Sequence, residues 1–467
     1  MRLEMKMAQK QHVHFIGIGG YGMSAIARVL LDLGHHVSGS DVARNKLVEG
    51  LEERGAIVTI GHAPENIAGA DLIVYSSSIL QDNVEIQAAR EQGIETIHRS
   101  QMLARLLNDK YGIAVAGAHG KTTTSSMLAQ TLELCGVDPT YIIGGEIVSL
   151  KGNAKAGKSE YVVAEADESD GSFLEYYPYI AIVTNIEADH LENYDGDFAN
   201  LKQAYAQFLS QVRPEGTAII CVDDPHVRDL IPEVQGRYIS YGLKHPADYH
   251  ATNIRFDQQE TSFTVVCGEE VLGDVRLQVP GMHNVSNALS VIIASLELGL
   301  SFSDIAKALY EFQSTKRRFQ VIGEENQVMV VDDYAHHPTE IKATLKAAKA
   351  LNRRIVAVFQ PQRYSRTHLL FQEFSESFAD ADEVIIHTIY APAGEKPIEG
   401  VSAEKLAEQV IKNSNPNTQF IGEKEALIDY LVTHTQPGDL VLTMGAGDIW
   451  RVAHGLVPEL KKVNVKS

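Results

Sequence analysis

Short apolar runs alternate with segments of helical period along nearly the whole chain, and this alternation confines it to α/β architecture. Runs at 12–17 and 36–40 read as buried parallel strands, and each is followed by helix-period residues, at 23–33 and 44–53. The pattern continues through DLIVYSSS at 71–78 and a helix at 100–107, then breaks at the polar trio Asn108, Asp109 and Lys110. A first domain boundary is expected there.

A fresh strand at 113–116 runs into a glycine loop and a helix from 121 to about 134, and further apolar strands follow at 162–164 and 180–183. Residues 249–279 change character. Short alternating pieces such as TSFTVV and DVRLQV suggest a small antiparallel sub-sheet rather than more crossover units. Helices at 284–298 and 303–312 precede the basic cluster Lys316, Arg317 and Arg318, and strand–helix alternation restarts at Val328, which puts a second boundary near Phe319. The last stretch carries strands at VMVVDD, RIVAVFQ, DEVIIHT and DLVLTM, so the chain reads as three consecutive α/β domains. Its 467 residues agree, at roughly 150 residues per domain.

Composition narrows the function classes. With 41 Lys and Arg against 61 Asp and Glu, the formal charge of −20 disfavours a nucleic-acid footprint. Three scattered cysteines, Cys135, Cys221 and Cys267, argue against a disulfide framework and fit a reducing cytoplasm. The opening MRLEMKMAQKQ lacks the form of a secretory signal, and no run approaches the ~20 apolar residues of a membrane span, so membrane partnership is not expected.

The sharpest local signal is VAGAHGKTTT at 115–124, where a strand, a glycine turn, a lysine and hydroxyls lead into a helix. Amides around Gly117, Ala118, His119 and Gly120 can turn toward phosphate oxygens. Lys121 can neutralise the β and γ phosphates, and the Thr122 hydroxyl is placed to ligate Mg²⁺, with Thr123 beside it. Only two residues separate Gly117 from Gly120, so the loop departs from the usual GxxxxGK spacing. A nucleoside triphosphate, with Mg²⁺, is the expected ligand.

GIGGYGM at 17–23 follows the first strand like a dinucleotide turn, with Asp41 ending the second strand where a ribose hydroxyl could meet it. The turn alone does not separate NAD from a UDP-sugar, and a tight turn that merely needs small residues is the plainer reading. VAEADESD at 163–170 and TNIEADH at 184–190 end two strands beside the phosphate loop, so Glu165 with Thr122 could hold one Mg²⁺ while His190 approaches another. VVDDYAHHPTE at 330–340 projects Asp333, Tyr334 and His336 from a strand end ahead of a helix opened by Pro338. FQPQRYSRTH at 359–368 repeats that placement with Arg363 and Arg366, guanidinium groups suited to a carboxylate.

Together, AGAHGKTTT, EADESDGSF, TNIEADHLENY, HNVSNA, RRF, DDYAHHPTE, QPQRYSRT and LTMGAGDI resemble the Mur ligases from end to end. The resemblance implies a Rossmann-like UDP-sugar domain at 1–109, a P-loop-type ATPase domain with a small antiparallel sub-sheet at 110–319, and a Rossmann-like amino-acid domain at 320–467 that closes over ATP. The opening HFIGIGGYGMSAIA, the GSD at 39–41, SSSI at 76–79 and HRSQMLARLL resemble one branch, in which ATP drives the joining of L-alanine to UDP-N-acetylmuramate. That activity implies a cytoplasmic enzyme of cell-wall synthesis, and so of cell shape and division, acting as a monomer or weak homodimer.

Carried over position by position, the resemblance gives Lys121 and its loop the ATP phosphates, and Thr122 and Glu165 a Mg²⁺. It gives His190 a second metal, and Asn284 and Asn287 the adenine nucleotide. Arg318 and Asp333 would come from the side that closes over ATP, and Tyr334, His336, Arg363 and Arg366 would surround L-alanine. Gly17, Gly19, Gly20, Gly22, Met23 and Ser76 would face the UDP-sugar. Two departures stand out. Ala118 replaces a threonine found in many members, and Tyr205 stands where several carry a carbamylated lysine, so no carbamate is expected. The competing readings are a ligase of the same family that recycles a murein tripeptide and, from other classes, an NAD-binding oxidoreductase or a nucleotide sensor. Neither of the last two accounts for Lys121, Glu165 and His190 together.

Overall fold

The computed structural model describes residues 10–76, 78–150, 152–257, 260–392 and 395–463, so most of the polar opening and Ser77 of the SSSI motif lie outside it. Three sheets follow one another along the chain. The first holds β1 (His12–Ile16), β2 (His36–Asp41), β3 (Ile57–Ile60), β4 (Leu72–Tyr75) and β5 (Glu95–His98), all parallel, in the order β3-β2-β1-β4-β5. Strand order reverses between β1 and β4. In a doubly wound sheet the crevice at the carboxyl ends of such strands is where ligands bind.

The second sheet has ten strands: β6 (Tyr111–Ala116), β7 (Thr140–Ile147), β8 (Gly152–Lys155), β9 (Tyr161–Ala166), β10 (Ile180–Val183), β11 (Thr217–Cys221), β12 (Tyr238–Gly242), β13 (Tyr249–Asp257), β14 (Glu260–Cys267) and β15 (Glu270–Leu277). Their order is β15-β14-β13-β12-β11-β10-β6-β9-β7-β8. β6 is buried from Gly112 to Ala116 and lies between β10 and β9, with Ala116 level with Val183 on one side and Ala166 on the other. Loops leaving these three strands therefore emerge side by side. The two-residue connection at 268–269 makes β14 and β15 antiparallel, since a parallel pair needs a crossover of a dozen residues or more. The expected sub-sheet is thus the outer end of this sheet.

The third sheet holds β16 (Gln320–Glu325), β17 (Val328–Asp333), β18 (Arg354–Phe359), β19 (Glu383–Ile386), β20 (Thr418–Phe420) and β21 (Asp439–Met444), in the order β16-β17-β21-β18-β19-β20. All pairs are parallel except β16 with β17. Alternate residues feed two cores: Val331, Ala357 and Leu442 pack on one face, Val330, Val358 and Val441 on the other. Both faces are covered by helices, as a parallel sheet requires.

Contacts divide the chain into two compact units, residues 1–252, 264–275 and 286–312 in one, and 253–263, 276–285 and 313–467 in the other. In the first unit one apolar core runs from Val13 and Phe15 of the first sheet through to Ala181 and Ile220 of the second. Among the described residues no helix is long and apolar enough to cross a membrane.

Candidate active site

Between β6 and the helix Lys121–Leu134, the backbone takes two conformations that favour glycine, with φ of +141° at Gly117 and +85° at Gly120. A Cβ at Gly117 would stand 2.0 Å from Thr184 Oγ1, so the loop lies directly on the end of β10. That strand end holds the loop in place. The Asn185 side chain accepts from the His119 amide at 2.8 Å and donates to the His119 carbonyl at 2.9 Å, and the Thr184 hydroxyl donates to the same carbonyl at 2.7 Å. The helix is capped by Gly120, which has no side chain to satisfy the first helical amides, so the helix N-terminus suits an anion.

Lys121 opens that helix, and its Nζ lies 2.6 Å from the Gly117 carbonyl and 2.7 Å from Glu168 Oε2. Burial disfavours its charge, yet Glu168, Asp167 and Glu165 outweigh burial and hold the ammonium above the usual lysine range. The lysine is a largely covered cation in contact with the loop. Thr122, on the next turn position, donates to Glu165 Oε2 at 3.1 Å, while Glu165 Oε1 accepts the Gly144 amide at 2.7 Å. Burial pushes the Glu165 carboxyl up despite these donors and Lys121. At Asp167 burial also pushes up, but Lys121, Ser169 and His190 outweigh it and hold the carboxyl low.

Hydroxyl and carboxylate oxygens converging at Thr122 and Glu165 are the hard donors that Mg²⁺ prefers, so this part of the predicted metal set fits the ion. His190 sits in the left-handed region, φ 57°, with Nε2 3.6 Å from Asp189 Oδ2 and Nδ1 3.8 Å from Glu192 Oε1. Its charge reaches Asp167. Tyr205 is buried, and burial together with the nearby Glu168 carboxyl pushes its phenol well above the usual tyrosine range. Asn287 approaches the loop from another helix, its Oδ1 2.9 Å from where a Cβ at Gly120 would stand. Three residues earlier on that helix, Asn284 donates to the Pro280 carbonyl at 2.7 Å.

At the switch point of the first sheet, Gly17 has φ +82° and a Cβ there would stand 3.1 Å from Ser76 Oγ, so the turn after β1 and the end of β4 flank one crevice. The Gly17 and Ile18 amides both donate to the Ser40 carbonyl, at 2.8 and 3.0 Å. Asp41, which the sequence offered for a ribose hydroxyl, is engaged in the turn itself. Its Oδ2 accepts the Gly19 amide at 2.8 Å and its Oδ1 accepts Ala43 N at 3.3 Å, so it builds the turn. Gly20 caps the helix Tyr21–Asp32, a Cβ at Gly22 would meet Arg99 Nη1 at 3.2 Å, and Met23 is buried. Tyr21, the first residue of that helix, is near enough to Glu146 and Glu165 to feel their charge. Its phenol is pushed up to about 12 by burial, then by Glu146 and Glu165.

In the second unit, β17 ends in Asp333, whose two oxygens accept the Phe319 and Ala335 amides at 2.6 and 2.7 Å. Burial still pushes this carboxyl up to about 6, against the pull of Arg318. Arg317 pairs with Asp332 at 2.8 Å, and the guanidiniums of Arg317 and Arg318 lie 5.0 and 5.3 Å from the centre of the Tyr334 ring. Pro338 does occupy the first turn of its helix, with His337 as N-cap. From β18, Arg363 caps the helix Tyr364–Leu369 with its side chain exposed, and Arg366 Nη1 donates to Gln362 Oε1 at 3.2 Å. Sequence reasoning passed over Glu168, Thr184, Asn185 and Glu340. All four lie within motifs quoted above, and the roles of the first three come from partners 47 to 66 residues away in the chain.

Comparison with known proteins agrees with this layout of three sheets and a phosphate loop. Residues 12–111 match the model for the Mur ligase family catalytic domain, 115–295 the Mur ligase middle domain, and 317–447 the Mur ligase glutamate ligase domain. The UDP-N-acetylmuramate--L-alanine ligase of Geotalea uraniireducens is 49% identical over 452 residues, 97% of this chain and 98% of that protein. The crystal structure of UDP-N-acetylmuramate-alanine ligase MurC from Thermotoga maritima superposes with a TM-score of 0.79 at 28% identity, covering 98% of this chain and 100% of that one. A murein peptide ligase from Psychrobacter arcticus follows at 0.69 and 26% identity, with 97% and 99% covered. The fold is that of an ATP-dependent ligase with three α/β sheets. The chain belongs to the Mur ligase family.

Proposed function

We infer that this chain is an ATP-dependent ligase that joins L-alanine to the lactyl carboxylate of UDP-N-acetylmuramate in peptidoglycan precursor synthesis. The observation that carries the reading is 49% identity, sustained over 97% of the chain, to a ligase of that name. The murein peptide ligase supports the alternative less: it resembles this chain in fold, but at 26% identity.

A carboxylate is a poor electrophile until one oxygen becomes part of a leaving group. Transfer of the γ-phosphoryl of ATP to the lactyl carboxylate supplies that leaving group, and the amine of L-alanine then displaces phosphate through a tetrahedral intermediate, giving an amide, ADP and phosphate. Lys121 and the amides after Gly117 hold the phosphates and offset charge where it accumulates, which is where most stabilisation in phosphoryl transfer arises. Thr122 and Glu165 would hold Mg²⁺, whose charge offsets that of the nucleotide, with His190 serving a second ion. Gly17, Gly19, Gly20, Gly22, Met23 and Ser76 receive the UDP-sugar at the switch point of the first sheet. Arg363 and Arg366 hold the L-alanine carboxylate, with Tyr334 and His336 beside it. Such an enzyme works in the cytoplasm, where its nucleotide substrates are.

The test is phosphate release with each component withheld in turn. Release should need ATP, Mg²⁺, UDP-N-acetylmuramate and L-alanine together; release without the sugar nucleotide would contradict the reading.

A further inference from the structure

The ligation needs a step that none of the roles above supplies. Near neutral pH L-alanine arrives as an ammonium ion, which has no lone pair, so a proton must leave the nitrogen before it attacks the acyl phosphate. A group near the amino-acid arginines has to receive it.

His336 is held with one nitrogen committed. Its Nδ1 faces the Tyr334 carbonyl at 3.0 Å and Glu340 Oε2 at 3.1 Å. Both are acceptors, so in the neutral ring Nδ1 carries the hydrogen and the lone pair resides on Nε2. Glu340 is fixed in turn: Oε2 accepts the His336 amide at 2.9 Å, and Oε1 lies 3.7 Å from Arg318 Nη1. The Tyr334 ring stands edge-on to the imidazole, with centroids 5.3 Å apart, and sets its plane. The charged and titratable groups packed around this cluster are Arg317 and Arg318 over Tyr334, the carboxyls of Asp333 and Glu340, and His283.

The cluster and the arginines share one sheet edge. Asp333 and Phe359 are both level with Met444, so the loops carrying His336 and Arg363 leave the carboxyl ends of β17 and β18 about 10 Å apart, two strand spacings. An amino acid held by its carboxylate at Arg363 and Arg366 would present its nitrogen at this same sheet edge.

We propose that His336 is the base that takes the proton from the ammonium of the incoming amino acid, and that Glu340 is a positioning residue that fixes its tautomer and offsets the imidazolium charge. The proposal deepens the L-alanine reading above and rests on it. One N–H proton passes to His336 Nε2, and the freed nitrogen pair forms the C–N bond at the acyl carbon. The C–O bond to phosphate then breaks, its electron pair leaves with phosphate, the second proton goes to that phosphate, and the imidazolium returns its proton to water.

Hydroxylamine tests this, because it is largely unprotonated at neutral pH and captures an acyl phosphate as a hydroxamate without a base. Wild type, His336→Ala, His336→Gln and Glu340→Gln, each checked for a folded thermal transition, would be given ATP, Mg²⁺ and UDP-N-acetylmuramate with either L-alanine or hydroxylamine. Loss of a general base costs ~10²–10⁴-fold in rate. Amide formation should fall on that scale in the His336 variants, and the ratio of amide to hydroxamate should fall at least about tenfold. The deficit should narrow as pH rises toward the range where free alanine loses its own proton, and Glu340→Gln should show a smaller loss of the same kind. Parallel loss of both products, a deficit independent of pH, or full amide formation in the His336 variants would overturn the proposal. A wild type that forms hydroxamate but no alanine amide would overturn the substrate reading, and this proposal with it, before any variant is compared.

Discussion

Lys121 and Glu168 are an ion pair held almost out of water, with side chains 15% and 4% exposed. Removing one member of such a pair strands the other charge and costs about 3–5 kcal/mol. Lys121→Ala should therefore lower the melting temperature and abolish ATP-dependent turnover, while UDP-N-acetylmuramate binding by calorimetry remains measurable, because the sugar residues lie on a different sheet. Turnover within tenfold of wild type would contradict the role given to Lys121. The lysine itself was legible in the sequence, since strand, glycine turn and helix surround it. Its partner was not, because Glu168 is one of four carboxylates in VAEADESD and pattern alone does not say which of them faces the loop. Asp41 shows the same limit: its place at the end of a strand was legible, but not that its oxygens accept the Gly19 and Ala43 amides.

At the scale of elements, two glycines separate backbone strain from crowding. Gly93 has φ +69° with open space where a Cβ would stand, whereas Gly117 combines φ +141° with a Cβ position 2.0 Å from Thr184 Oγ1. Gly93→Ala should cost about 1–2 kcal/mol in urea unfolding and leave activity intact. Gly117→Ala should displace the loop and eliminate turnover; equal effects of the two would show that the loop does not depend on its seat on β10. A second device ties the first sheet together. Glu85 is fully buried at the start of the helix Val84–Glu91 and accepts from Ser40 Oγ on β2 at 2.6 Å, Asn66 Nδ2 at 2.6 Å and the Ala63 amide at 3.1 Å, with His14 Nε2 of β1 at 3.3 Å. Burial pushes its carboxyl up, but His14, Ser40 and Asn66 outweigh burial and bring it down to about 2. A carboxyl lowered on folding adds stability that is complete above the unfolded value near 4.5 and is lost as pH falls toward 2, here about 3 kcal/mol. Glu85→Gln should flatten the fall in urea midpoint between those pH values; an unchanged slope would mean that Glu85 is not the group responsible. Nothing in the sequence marks this network, whose members are up to 71 residues apart.

For the molecule as a whole, the three successive sheets were legible because a buried parallel strand is a short apolar run and its crossover helix has a different period. Interior strands β7, β11 and β12 escaped, and so did edge strands. GNAK in β8 and QVIGEE in β16 are poor in the residues that mark strands, and antiparallel pairing with β7 and β17 makes them strands. The phosphate loop and its neighbours were legible for a related reason: they end apolar strands, and β10, β6 and β9 lie side by side in the sheet. Choosing among ligases of this fold is a question of which amine is used. The most direct measurement is competition between L-alanine and L-alanyl-γ-D-glutamyl-meso-diaminopimelate for UDP-N-acetylmuramate, with ATP and Mg²⁺ present and the product mass read from the same reaction. UDP-N-acetylmuramoyl-L-alanine should be the dominant product, formed with stoichiometric phosphate; a product carrying only the tripeptide would contradict the L-alanine assignment.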